Sequence, residues 1–187
     1  MLSQDAPADA LLDRDPLALL IAMLLDQQVP MERAFAAPYE LQQRLGHGLD
    51  ARELAEYDPE ALVATFARQP ALHRYPKSMA GRVQELSRAL VERYDGDVTG
   101  LWRDVPDARE LLNRLVALPG YGMQKAQIFV ALLGKQRGVT PPGWREVAGV
   151  YGEDGVHRSA ADVTDAESLA KVREYKQQRK MAAKAKK

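Results

Sequence analysis

At 187 residues the chain is long enough for one domain, or for two small lobes sharing a core, and can bury about two thirds of its unfolded surface without covalent staples. Only 12 residues are aromatic (2 Trp, 7 Tyr, 3 Phe), while Ala, Leu and Arg are abundant, so helices are favoured and an all-β sandwich is not. With no cysteine there is no disulfide, thiolate zinc site, cysteine-ligated iron–sulfur cluster or thiol nucleophile.

The longest apolar run, residues 16–25, is about half a membrane span, and no basic stretch precedes an apolar one at the N-terminus, so a cytoplasmic protein without a membrane partner is expected. A formal net charge of zero conceals an asymmetry. Residues 171–187 hold eight basic residues against Glu174, a net +7 that leaves −7 for the rest. Between Glu110 and Glu146 stand Arg114, Lys125, Lys135, Arg137 and Arg145 with no acid at all, a stretch able to approach a polyanion.

In chain order, Asp15 before Pro16 and Asp58 before Pro59 each offer an N-cap followed by proline at the first helical position. Residues 16–28 are apolar nearly all round, as suits a helix in the centre of a bundle, and end in the polar Asp26, Gln27 and Gln28. Shorter helices are expected near 39–45, 51–57 and 59–67, then a long amphipathic one over 77–94 with Met79, Val83, Leu86, Leu90 and Val91 on one stripe, stopped by Asp95-Gly96-Asp97. Residues 110–118 and 123–136 form a helix pair joined by Pro119-Gly120-Tyr121-Gly122, and 138–155 read as loop with one short helix at most. Thr164 and Glu167 make a capping box that opens a terminal helix, whose lysine-rich end should fray. That tail is either a solvated helix or a sequence-independent DNA anchor, and removing 171–187 should leave the fold intact. Trp102 and Trp144 read as packing residues; His47, His73 and His157 lack the spacing of metal ligands, and no metal site is expected.

The helix pair carries most of the information. Gly120 and Gly122 bracket one residue in a tight turn, which lets backbone amides approach a phosphate closely at the start of a helix, and Lys125 adds a charge in the first turn. The plainer alternative is an αα-hairpin with a glycine C-cap.

The Leu-Pro-Gly-x-Gly core at 118–122 resembles the helix-hairpin-helix of the base-excision DNA glycosylase superfamily (HhH-GPD) that includes endonuclease III and the adenine glycosylases. Residues 15–28 resemble that superfamily's first barrel helix, and Tyr75 with the helix up to Asp95-Gly96-Asp97-Val98 stands in the expected order between them, so the likeness covers roughly residues 13 to 140. It implies an all-α, two-lobed fold: 16–137 as a six-helix barrel containing the hairpin, and 1–15 with 138–187 as a second, smaller lobe with a basic C-terminal tail. It implies a monomer that grips double-stranded DNA through Leu118, Gly120, Tyr121, Gly122, Met123 and Lys125, inserts Gln28 into the duplex and everts a damaged base for excision. No cofactor is expected beyond a monovalent cation that such a hairpin can bind.

Three positions are catalytic candidates by alignment. The lysine of bifunctional members falls at Gln124, with Lys125 one residue later and about 100° round the helix. Where the resemblance calls for a Val-Asp pair the chain has Val139-Thr140 followed by Pro141-Pro142, and Thr140 carries no charge. A monofunctional glycosylase is therefore expected, acting best on a base with an already labile bond, such as a cationic alkylated purine. Asp154, Asp162 and Asp165 could supply a displaced carboxylate, although surface and capping roles suit each better. The alternatives are a non-catalytic DNA-binding relative that has lost the aspartate and, more remotely, a helical protein-interaction module.

Overall fold

The computed structural model describes residues 1–185, which are helix, turn and loop without a strand. The helices are α1 (Ala6–Arg14), α2 (Pro16–Leu25), α3 (Met31–Leu45), α4 (Ala51–Glu56), α5 (Pro59–Ala67), α6 (Pro76–Tyr94), α7 (Ala108–Val116), α8 (Met123–Gln136), α9 (Trp144–Ala148) and α10 (Ala166–Ala185). Short 3-10 turns lie at Val98–Leu101, Gly149–Tyr151 and Ala160–Asp162. Among the described residues no helix is long and apolar enough to cross a membrane.

The start of α2 is set by Asp15, whose carboxylate accepts from Leu17 N at 2.9 Å and Ala18 N at 3.3 Å, with Pro16 at the first position; Asp58 caps α5 in the same way through Ala61 N at 2.8 Å. Nine of the ten residues of α2 are buried, so this helix is the axis of the core. Each fully buried Leu, Ile or Met there contributes about 1.5–3 kcal/mol. Helices α1 and α3 pack on α2, α4 and α5 pack on α6, and the hairpin α7–α8 carries α9 and the Ala160–Asp162 turn. One hydrophobic cluster runs through them from Leu2 to Val172.

Several boundaries depart from those expected. Helix α1 was not anticipated, although Asp5 and Pro7 punctuate its start and Ala8, Leu11 and Leu12 are buried in the core. Helix α3 begins at Met31 rather than near 39, with Pro38 inside it. Proline there removes the N–H that would bond the Ala34 carbonyl, and burial of Ala34, Phe35, Ala37 and Leu41 outweighs that loss. Helix α2 stops at Leu25, three residues short of the polar end, because side chains of other elements take its last carbonyls. The capping box of α10 sits one residue later than Thr164 and Glu167: Asp165 Oδ1 accepts from Ser168 N at 2.7 Å, and Ser168 Oγ accepts from Asp165 N at 3.0 Å.

The region after α8 is ordered by local polar contacts. Lys135 Nζ lies 2.6 Å from Asp162 Oδ1 in a nearly buried ion pair, while Asp162 Oδ2 accepts from the amides of Arg158 and Ser159. The Gln136 amide donates to the carbonyls of Ala160, Ala161 and Val163. Trp144 lies over Gly134, where any β-carbon would run into the indole, and this explains both the glycine inside α8 and the tryptophan as a packing residue.

Helix α10 buries Ser168, Leu169 and Val172, and nothing beyond. Core anchoring therefore reaches into the segment expected to be dispensable and ends at Val172, which is fully buried. A chain ending after Val172 should keep the fold but lose about 1–3 kcal/mol, since it leaves the mostly buried Asp26 and the part-buried Glu32 without Lys176 and Arg173. Leu169→Ala should cost about 2–5 kcal/mol. Thermal and denaturant unfolding of the two variants measures both.

Candidate nucleic-acid interface

The hairpin is built from its caps inward. Asp107 caps α7 through Glu110 N at 3.0 Å; the chain then turns through Leu118 N to Leu115 O and Tyr121 N to Leu118 O, with Gly120 at φ +82°. Leu118 and Tyr121, expected at the DNA, are each only 3% exposed. Tyr121 Oη donates to Leu20 O at 2.6 Å, and its ring meets Phe129 edge-on at 6.0 Å. Their side chains belong to the core, so at these two positions only the main chain can reach a phosphate. Gly120, Gly122, Met123 and Gln124 are exposed. No side chain caps α8, which leaves its first amides open at the positive end of a 14-residue helix.

Lys125 departs furthest from expectation. Its ammonium is neither solvated nor free for phosphate: it donates to Met23 O at 2.6 Å and Leu24 O at 2.9 Å, filling carbonyls at the end of α2. Gln27 Nε2 also donates to Leu24 O, at 2.8 Å, and His73 Nε2 donates to Leu25 O and Gln27 O at 3.1 and 3.0 Å. Because His73 Nδ1 accepts from Tyr75 N, the ring is the neutral Nε2–H tautomer, and burial pushes its pKa down accordingly. With the carbonyls so taken, the chain leaves α2 abruptly and Gln28 stands exposed at φ +56°. The Gln28 turn and the hairpin turn are thus held together by one side chain. Arg82, bonded to Gln27 Oε1 at 3.1 Å, and Tyr75, exposed at the start of α6, stand beside them.

Gln124 opens on a cavity of about 390 Å³ between α8, the Gly149–Tyr151 turn and α10. Its amide donates to Tyr151 Oη at 2.8 Å, and Tyr175 supplies further aromatic surface. Ile128, Arg158, Lys176, Arg179 and Lys180 complete the lining, and no carboxylate is part of it. Arg179 and Lys180 have no ion-pair partner among the described residues, and this excess charge opposes the entry of another cation, which runs against the cationic alkylated purine anticipated above.

Thr140 is not brought to Gln124. It is exposed on the segment whose Pro142 carbonyl accepts from Ala108 N, at the start of α7, one helix length or about 13 Å from the hairpin turn. Asp154 pairs with exposed Arg145, while Asp162 and Asp165 serve as caps. Two carboxylates are linked to the cavity through its lining cations: Glu153, 2.8 Å from Arg158 and half exposed, and Asp26, a tenth exposed and 3.5 Å from Lys176. Of these, Asp26 is the more enclosed. It ends an apolar run, a signal visible in the sequence. Tyr151 and Arg158 had no such signal, since they lie in irregular chain.

The two hairpin glycines should separate in mutation. A β-carbon on Gly120 would strike Leu24 Cδ1 and adopt a left-handed conformation, so Gly120→Ala should destabilise the fold by about 1–3 kcal/mol. Gly122 has φ −74° and open space around it; Gly122→Ala should leave the melting temperature unchanged and weaken DNA binding alone, as read by titration with labelled duplex.

Burial pushes the Lys125 pKa down to about 8, with the Asp26 carboxylate opposing. The unfolded chain keeps this proton to its ordinary 10.5 and the folded chain only to about 8, so this group's contribution to stability rises with pH across that window. The neutral amine retains two N–H donors for its two carbonyls. Denaturant midpoints should therefore climb more between pH 8 and 10 in the native chain than in Lys125→Met.

Among the described residues no group of three metal-ligating side chains is assembled. No curated protein matches the chain. A family model described as the HhH-GPD superfamily base excision DNA repair protein matches residues 21–187, which take in the hairpin, the cavity and α10. The hairpin, the glutamine turn and the cavity beside Gln124 accordingly belong to a member of the HhH-GPD superfamily of base excision DNA repair proteins.

Proposed function

We propose that this protein grips duplex DNA across the Gln28 and hairpin turns, everts a nucleotide into the cavity beside Gln124 and hydrolyses its glycosidic bond as a monofunctional glycosylase. The observation that carries this is the Lys125 tie to Met23 and Leu24, which holds the end of α2, and with it the Gln28 turn, against the first turn of α8, where Gln124 lines that cavity. Eversion costs a few kcal/mol, recovered from phosphate contacts that fall off with salt. The exposed cations of α10 add to those contacts. A monovalent cation at the hairpin would rest on its main chain, where the Leu118 carbonyl accepts one hydrogen bond, from Tyr121, and keeps a lone pair; no step here depends on it.

Gln124 has no amine to form a Schiff base, and the Lys125 amine is occupied inside the protein, so water is the nucleophile. Positive charge developing on the sugar needs a carboxylate, and Asp26 is placed to supply it once a DNA phosphate takes its partner Lys176. The second reading, a DNA-binding relative without chemistry, is favoured by the absence of any carboxylate from the cavity lining.

A panel of duplexes carrying single lesions tests the two. Release of a base should leave an abasic site in an uncut strand, with no adduct trapped by borohydride. Asp26→Asn should lower release about 10²- to 10³-fold while duplex binding persists. Trapping that is lost in Lys125→Ala would refute the monofunctional assignment, and tight binding with no release across the panel would establish the non-catalytic one.

A further inference from the structure

Superfamily membership does not account for the charge of the cavity beside Gln124. Arg158 is fixed by Val150 O at 2.7 Å and Glu153 Oε2 at 2.8 Å, and Lys176 is paired with Asp26. Arg179 lies 6.0 Å from the centre of the Tyr175 ring, and neither it nor Lys180 enters an ion pair among the described residues. The cavity therefore has excess positive charge together with two tyrosines and the Gln124 amide, in a volume of about 390 Å³, near the lower end of the range for small-ligand sites.

From this we infer that the cavity receives a nucleobase in its anionic form, and that the substrates are neutral lesions with an acidic ring N–H, of the pyrimidine-dione or oxopurine kind. The inference rests on the glycosylase reading for its chemistry. When a neutral base departs, the C1′–N bond breaks heterolytically and its electron pair stays on the ring nitrogen, so the leaving group is an anion and the sugar is cationic. Water then adds at C1′, and the proton it loses passes through solvent to the base. The unpaired lining cations Arg179 and Lys180 lower the energy of that anion, while Asp26, the partner of Lys176, is left for the sugar. A cationic alkylated purine departs as a neutral molecule, gains nothing from these groups and is repelled as it enters. The tyrosines favour a flat ring over a bare inorganic anion.

Free bases probe the cavity without requiring turnover. Calorimetric titration at neutral pH compares 5-nitrouracil, which is an anion there, with thymine, a neutral ring of similar size. Binding of 5-nitrouracil should be at least about tenfold tighter, and the preference should vanish in the Arg179→Gln/Lys180→Gln double variant, whose positions are exposed and bear no core load. Equal binding of the two rings would overturn the inference. So would inorganic phosphate that displaces 5-nitrouracil at matched concentration, which would show a simple anion site. The lesion panel separates the two levels of the argument. Preference for 5-nitrouracil without release of any base would end the glycosylase reading and leave the ligand class standing; release of alkylated purines ahead of uracil would do the reverse.

Discussion

The C-terminus of α2 imposes the constraint on which the rest of this structure depends. A helix buried on every side must end inside the protein, and its last carbonyls then need donors that water cannot supply. Here those donors come from Lys125, His73 and Gln27, with Tyr121 bonding one turn earlier at Leu20. Two of the four belong to the hairpin, so the contacts that make the core viable also fix the hairpin turn against the Gln28 turn. Gly120 is part of the same joint, since its missing side chain lets the turn close on Leu24. Function inherits its geometry from a requirement for hydrogen bonds.

The second theme is charge. The middle of α10 faces the protein: Lys176, Arg179 and Lys180 line the cavity, and Arg173 and Lys176 meet Glu32 and Asp26. These acids compete with DNA phosphate for the same cations. The cations are about half exposed and within reach of phosphate, whereas Asp26 and Glu32 are mostly buried, so exchange leaves those acids unpaired at a cost that the phosphate contacts must offset. The acid that terminates α2 thereby links the packing axis to Lys176 of the cavity lining.

Much of the fold was legible in the sequence wherever a local rule applied without competition. Asp15-Pro16 and Asp58-Pro59 marked helix starts, and the apolar stripe on 77–94 and the limits of 123–136 were readable from periodicity and glycine. Where burial overrode a local signal the sequence misled. Pro38 looked like a boundary and is interior to α3, and Val172, in a lysine-rich tail, is core. The candidate site was legible only along the hairpin and at Gln28, because those positions lie in contiguous motifs.

What the sequence by itself determined is the all-helical class, the hairpin, the glutamine turn and the want of an acid at Thr140, since each depends on residues near one another in the chain. Only the tertiary structure decided what Lys125 does, which face Leu118 and Tyr121 present, and that Gln124 opens on a cavity lined by Arg158, Lys176, Arg179 and Lys180. A lysine in the first turn of a helix reads as solvated unless a distant carbonyl is known to want it. The carbonyls in question are about a hundred residues away, at the end of a helix whose burial is set by the whole packed chain.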